Sequence, residues 1–432
     1  MFKPYTRAVI LVFLFVYTLV FFRVANIDLY KSISGRDFIH GDGFSDKDTH
    51  SAALYFYDYG FRKTSFLPVQ NYKGDGVITD STKVYTHYPA LPAIIAGITM
   101  KITHSKSEIY LRIPPLLISF FWFFLIFKLL IDFLPDKKWA IIAGIILVLS
   151  NYYIAWIDSF HKHCYEEFLK WLFVYLIYLY HERKQKKTFL LVVLALIFII
   201  IANVSYEPIL FLGFVTIGFS HIYKKTFFGK EVFILGFAAI IGFGIHFLQC
   251  YFYFHSLPET LSDLKGAFLN RTIGGGNEQT HELHHAIHFF DLIKLISFDW
   301  FNRIERFFLI PGWAFLVLCI LGFRKAKKGN SKLFLILITL LIASLSWSVF
   351  MTQHSLVHIF ITKQIGVFYA LMLGYSLPIY FENLKKSFSS SGKIPLRLFH
   401  IGFLSYIFVM AASQQIFDLY IRYGFAYPYF GK

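Results

Sequence analysis

Asp46, Asp48 and His50 bring two carboxylates and an imidazole together early in the chain, and the four-residue step from Asp46 to His50 would put both on one side of a helix. Carboxylates at the outer end of a transmembrane helix suit a general base that takes a proton from a hydroxyl, or a cation site. A solvated acidic loop would show the same residues. Farther on, the run Tyr85-Thr86-His87-Tyr88-Pro89-Ala90-Leu91-Pro92 leads straight into an apolar segment. His87 and Tyr88 at that depth can hold a phosphate or a sugar ring, although an interfacial aromatic belt also explains the tyrosines. Asp158 and His161 are three apart, with His163, Glu166 and Glu167 just beyond, and suit a polar rim or a plain interface loop. Glu207 stands beside Pro208 between two apolar runs, where an ionisable group is costly unless it has work or water. Arg271 precedes a Gly-rich turn whose amides could hold a phosphate, and Lys363 follows His354 and His358 in a segment where a cation could neutralise a leaving phosphate.

One motif points elsewhere. His281-Glu282-Leu283-His284-His285 matches H-E-x-x-H, in which His281 and His285 would hold zinc and the glutamate would activate water. The extended third-ligand pattern is absent, and the surrounding stretch is rich in histidine, so a polar surface helix is the plainer reading.

What must position these residues is set by composition. Of 432 residues, 56% are hydrophobic, 20% aromatic and only 16% charged, and the mean hydropathy is +0.56. A soluble domain has nowhere to bury so much apolar surface. The apolar residues form about a dozen runs near the roughly 20-residue length that bilayer thickness demands, and only helices can cross there with their backbone satisfied. The net charge of +16 resides mostly in short clusters between runs, as at Arg183 to Lys187 and Arg324 to Lys328. That is the positive-inside pattern, and it argues against nucleic acid as a partner. Clusters at 183–187, 224–230, 324–328 and 385–397 should be cytoplasmic, which puts 158–165, 203–207, 255–300 and 352–364 on the other side. Lys3 and Arg7 before the first run place the N-terminus inside, as an uncleaved first helix. Cys164, Cys250 and Cys319 are too scattered for a disulfide framework or a Cys-based metal site. Three runs, 89–103, 113–131 and 139–157, separate two segments expected on the same side, so one of them is not a simple crossing. The short run at 89–103 and the run interrupted by Pro114 and Pro115 are both candidates.

In order along the chain there are a first helix, a large outer loop with Asp46 and His50, Gly60 closing a short helix, and the aromatic-His-x-Pro-x-x-Pro segment leading into the next apolar run. This order resembles the C-type glycosyltransferases, in particular the protein O-mannosyltransferases and lipid A aminoarabinose transferases. The resemblance covers about the first half of the chain. It implies that an acidic residue in the first outer loop is catalytic, here Asp46 with Asp48 the nearest rival, and that the donor is a sugar carried on a polyprenyl phosphate. Two departures stand out: Lys47 follows Asp46 where relatives carry an acidic pair, and Ala90 and Leu91 separate Pro89 from Pro92.

These readings predict an all-α polytopic bundle of about 11–13 helices forming one transmembrane domain over 1–432, with a proposed catalytic loop at 23–88 and a second large outer loop at 255–300. The expected activity is transfer of a sugar from the lipid-linked donor to a glycan, lipid or protein acceptor on the outer face of a plasma or inner membrane. Asp46 or Asp48 would act on the acceptor, and His50, His87, Tyr88, Asp158, His161, Glu207, Arg271 and Lys363 would bind substrate. No cofactor is required by this chemistry, although a divalent metal is compatible with it. A lipid-linked saccharide transporter or flippase and a membrane zinc metalloprotease are the competing classes. The transporter would need charges deep within helices, where Lys128 and His246 are the main ones seen.

Overall fold

The computed structural model describes residues 3–27, 43–183, 185–272, 289–294, 300–391 and 402–414, and within them the protein is helical apart from one two-residue ladder. After α1 (Lys3–Ala25), the first loop folds as α2 (Gly43–Tyr59), a 3₁₀ turn at Arg62–Thr64, and strands β1 (Val69–Gln70) and β2 (Lys83–Val84), which pair antiparallel with Val69 opposite Val84. Gly60 ends α2 as the sequence suggested: its φ of +83° is easy only for glycine, and its N–H reaches back to the Phe56 carbonyl at 3.0 Å.

The chain continues as α3 (Leu91–Thr103), α4 (Glu108–Leu111), α5 (Ile113–Phe133), α6 (Lys137–Val148), α7 (Asn151–Ile154), α8 (Lys162–Glu182), α9 (Lys187–Val204), α10 (Glu207–Lys224), α11 (Lys230–Phe254), α12 (Leu257–Thr272), α13 (Phe289–Lys294), α14 (Trp300–Phe307), α15 (Gly312–Gly329), α16 (Ser331–Phe350), α17 (Thr352–Val357), a 3₁₀ segment at Ile359–Ile365, α18 (Gly366–Ser391) and α19 (Gly402–Gln414). Local chemistry marks many of the boundaries. Prolines occupy the first turns of α3, α5 and α10, where a missing N–H costs nothing. Asp136 caps α6 by accepting from Lys138 N at 2.9 Å, and Asn330 caps α16 by accepting from Leu333 N at 3.0 Å.

Six helical stretches are long and apolar enough to cross a membrane: Thr6–Ala25, Glu108–Phe133, Lys187–Val204, Lys230–Phe254, Ser331–Phe350 and Phe360–Ser387. The pair α14 and α15, bent by 101° at their junction, would make a seventh. In the bundle, α10 packs along α16, α9 along α11, and α8 against α5, α9 and α10. Of the three runs between 89 and 157, 113–131 alone falls in a helix of spanning length. α6 has 12 residues, and α3, at 13 residues, is only about 20 Å long, short of a hydrocarbon core of about 30 Å, and lies against α2. Their approach is close: a Cβ on Gly97 would stand 2.9 Å from Phe56 Cβ. The prolines at 114 and 115 start a helix and do not break one, whereas the run at 139–157 divides into α6 and α7 with a break at Leu149 and Ser150.

The bundle has two ends. At one, basic in sequence, Lys332 pairs with Glu182 at 2.5 Å and Lys224 with Glu231 at 2.5 Å. The other carries α2, α3, the start of α8, the α9–α10 turn, α12 and α17, and is called the loop end below.

Candidate active site

The site is built on the first turns of α8. Lys162, Glu166 and Lys170 recur every four residues and so share one face, with His163 and Glu167 beside them. All five are buried. Ionised groups out of water are tolerated only when paired and hydrogen-bonded, and the fold supplies partners from four other segments.

Glu207, the first residue of α10, is the hub. It receives hydrogen bonds from Lys162 Nζ, Tyr88 OH and Ser205 Oγ, and His354 Nε2 lies 3.7 Å from its Oε1. The Lys162 ammonium also donates to Tyr88 OH and sits 4.4 Å over the Tyr88 ring and 4.5 Å over that of Phe360. The Arg271 guanidinium lies 5.5 Å from the Tyr88 ring on α12 and donates to the His87 carbonyl at 2.8 Å. His87 in turn meets Asp263 of α12 at 3.1 Å, so α12 is latched over Tyr88. Burial raises the Asp263 carboxyl, but hydrogen bonds from His87 and Thr86 outweigh it and hold the group below the ordinary aspartate range.

A second layer lies deeper. Lys363 Nζ is 2.6 Å from His163 Nδ1 and 4.4 Å above the Trp156 ring. Gln364 Nε2 donates to Glu166 Oε1 at 3.0 Å, while Glu166 Oε2, also buried, has no hydrogen-bond partner among the described residues. Glu167 accepts from Lys170 Nζ at 2.7 Å and from the Tyr152 hydroxyl. Below Lys170 the inward face of α8 is apolar, with Trp171, Phe173, Val174 and Ile177 all buried. The polar cluster, called the chamber below, is therefore confined to the loop-end turns of α8 and gives way to apolar packing.

The first loop is fastened to this chamber by Asp46. Its carboxylate is fully buried, and Oδ1 accepts from Ser159 Oγ and from the N–H of His161, the N-cap of α8, both at 2.9 Å. A negative charge there also faces the positive end of the helix. Thr49 adds a hydrogen bond to His161 Nδ1 at 2.7 Å, and the His161 ring lies 6.2 Å from that of Tyr88. Asp158 is held between Arg23 of α1 at 2.5 Å and Arg112 at 3.2 Å, and Arg112 also meets Glu108 at 3.5 Å and lies over the Phe160 ring.

Of the residues singled out in sequence, Asp46, His87, Tyr88, Asp158, His161, Glu207, Arg271 and Lys363 are thus brought to one place. Asp48 and His50 are not. Asp48 accepts from Gln70 Nε2 at 2.8 Å within its own loop, and His50 meets the Lys106 carbonyl at 3.3 Å in the turn between α3 and α4. His281 and His285 lie outside the described residues, as does the Gly-rich turn after Arg271; among the described residues no group of three His, Cys, Asp or Glu side chains could hold a metal. Sequence reasoning passed over Lys162, Lys170, Gln364, Arg23 and Arg112. The repeat of charge at 162, 166 and 170 was the available signal. No protein-family model matches the chain, and no curated protein matches it.

Proposed function

We propose that this chain is a membrane glycosyltransferase of the C type, with its loop end outside, taking a sugar from a polyprenyl-phosphate donor and passing it to a hydroxyl-bearing acceptor. The observation that carries the reading is the convergence of Lys162, Lys363 and Arg271 with Glu166 and Glu207 in a buried polar cluster at one end of an apolar bundle. A phosphate with a greasy tail needs cations set beside lipid, and a low-dielectric site strengthens each of them.

In this reading the acceptor oxygen attacks the anomeric carbon, the bond from that carbon to the phosphate oxygen breaks, and the electron pair leaves with the phosphate. Lys162, Lys363 and Arg271 compensate the charge that develops on it. The acceptor proton goes to a carboxylate, and Glu166 offers a buried oxygen with no hydrogen-bond partner among the described residues. Asp46, whose Oδ1 already serves Ser159 and His161, becomes the residue that sets the α8 N-terminus, and Asp158 anchors α1 and α4–α5 to the same turn.

A transporter would need a polar route onward through the bundle. The apolar lining below Lys170 favours a site served from one side. The test is mass spectrometry of lipid-linked sugars and surface glycans in cells lacking the protein, complemented with wild type or with Glu166→Gln. Accumulation of a polyprenyl-phosphate sugar with loss of one glycan modification, rescued by wild type alone, is expected. An unchanged glycan inventory would end the proposal.

A further inference from the structure

Away from the chamber, the loop end holds a groove of about 460 Å³ between the last turns of α11 and the turn that follows the 3₁₀ segment of the first loop. Ile245, Leu248 and Phe252 supply one wall from a helix apolar enough to cross a membrane, and each is at least two-fifths exposed. Phe66 supplies the other. It is thrust outward by a turn in which two successive non-glycine residues are left-handed, Ser65 at φ +53° and Phe66 at φ +67°. Such conformations persist only when neighbours enforce them. Here the enforcement is a set of hydrogen bonds: Ser65 N to Arg62 O, Phe66 N to Phe61 O, Leu67 N to Thr64 O, and Thr64 Oγ1 to Leu67 O.

A basic rim gives the groove a chemical preference. Arg62 lines its rim, with Lys63 in the same turn and Lys101 5.7 Å from the Phe61 ring that stacks on Phe66. All three are exposed, and none has an ion-pair partner among the described residues. Basic residues at this end run against the charge bias of the rest of the chain. On the floor, the Gln249 side chain is engaged by His246 within α11.

We propose that this groove is a binding site for an anionic phospholipid of the surrounding bilayer: one acyl chain lies on Leu248, Phe252 and Phe66, and the phosphate meets Arg62. The groove opens on the exposed apolar face of α11, where a bilayer lipid reaches it directly. The site touches the chamber only indirectly. One turn from Gln249, His246 bonds the Thr86 carbonyl at 2.8 Å, next to His87 and Tyr88.

Native mass spectrometry of the full-length protein, released from bilayers mixing phosphatidylglycerol, phosphatidylcholine and a polyprenyl phosphate, tests it without reference to transfer activity. Wild type should retain phosphatidylglycerol selectively. Arg62→Ala should weaken retention about fivefold, the effect of one interfacial cation, Arg62→Lys should restore most of it, and Leu248→Trp should fill the groove and abolish it. Equal retention of phosphatidylcholine, retention untouched by both Arg62→Ala and Leu248→Trp, or displacement of phosphatidylglycerol by the polyprenyl phosphate would each overturn the assignment. The transferase reading would stand or fall separately, on the glycan inventory.

Discussion

Both ends of the bundle pair carboxylates with lysines, yet they do so in different ways. At the basic end the buried Glu231 and the exposed Glu182 each pair with one lysine, and those lysines keep their heads partly in water: Lys224 is 31% and Lys332 46% exposed. The stems cover apolar surface and the ammonium groups snorkel, which makes the pairs cheap clasps between helix ends. At the loop end Lys162 and Lys170 are almost wholly enclosed, and so are Glu166, Glu167 and Glu207. Replacing such an ensemble by apolar residues is often neutral or stabilising, so its presence points to work other than holding the fold together.

Substitutions can break this contrast or sharpen it. The largest effect is expected from Glu166→Gln, which should cut transfer from a lipid-linked donor by about 10²–10⁴-fold while the melting temperature of the purified protein holds. Comparable turnover in the variant would remove Glu166 from the proposed chemistry. Next comes Arg112→Met, which leaves Asp158 buried with Arg23 as its remaining arginine partner and should destabilise by about 3–5 kcal/mol, read as a lowered denaturation midpoint in detergent. At the basic end Lys332→Ala should cost less than about 1 kcal/mol and leave transfer intact; a loss as large as that of Arg112→Met would erase the distinction between the ends. The smallest effect concerns the Asp263–His87 latch. Because the folded carboxyl is depressed, its contribution is complete above the ordinary aspartate range and fades as pH falls through the folded value. Hydrogen exchange in α12 should therefore rise at acid pH, and Asp263→Asn should flatten that response.

The apolar runs made the helical architecture plain, because bilayer thickness imprints a length on the sequence. The run at 89–103 was ambiguous for the same reason: 15 residues are few for a crossing and too many to dismiss, and its helix proves to be 13 residues long and packed on α2. For the site, Tyr88, Glu207, Arg271 and Lys363 stood out as polar groups at the margins of apolar runs. Lys162 and Lys170 did not, since a charge near a helix start looks like ordinary interface and a lysine just inside an apolar run looks like its edge. Their meaning resides in partners far along the chain, Glu207 45 residues from Lys162 and the Lys363 carbonyl 193 residues from Lys170. Asp46 was legible as a carboxylate that matters, but no spacing reveals that it will meet a helix N-cap 115 residues later.

That last bond has a consequence for how the molecule is made. Ribosomes deliver the first loop well before residue 161, so Asp46 emerges long before the amide it must cap. The first loop cannot seat itself until the chain up to residue 161 has been made. A nascent chain arrested ahead of Ser159 should display the first loop in a protease-sensitive form, and quality-control factors would meet it in that state during every round of synthesis.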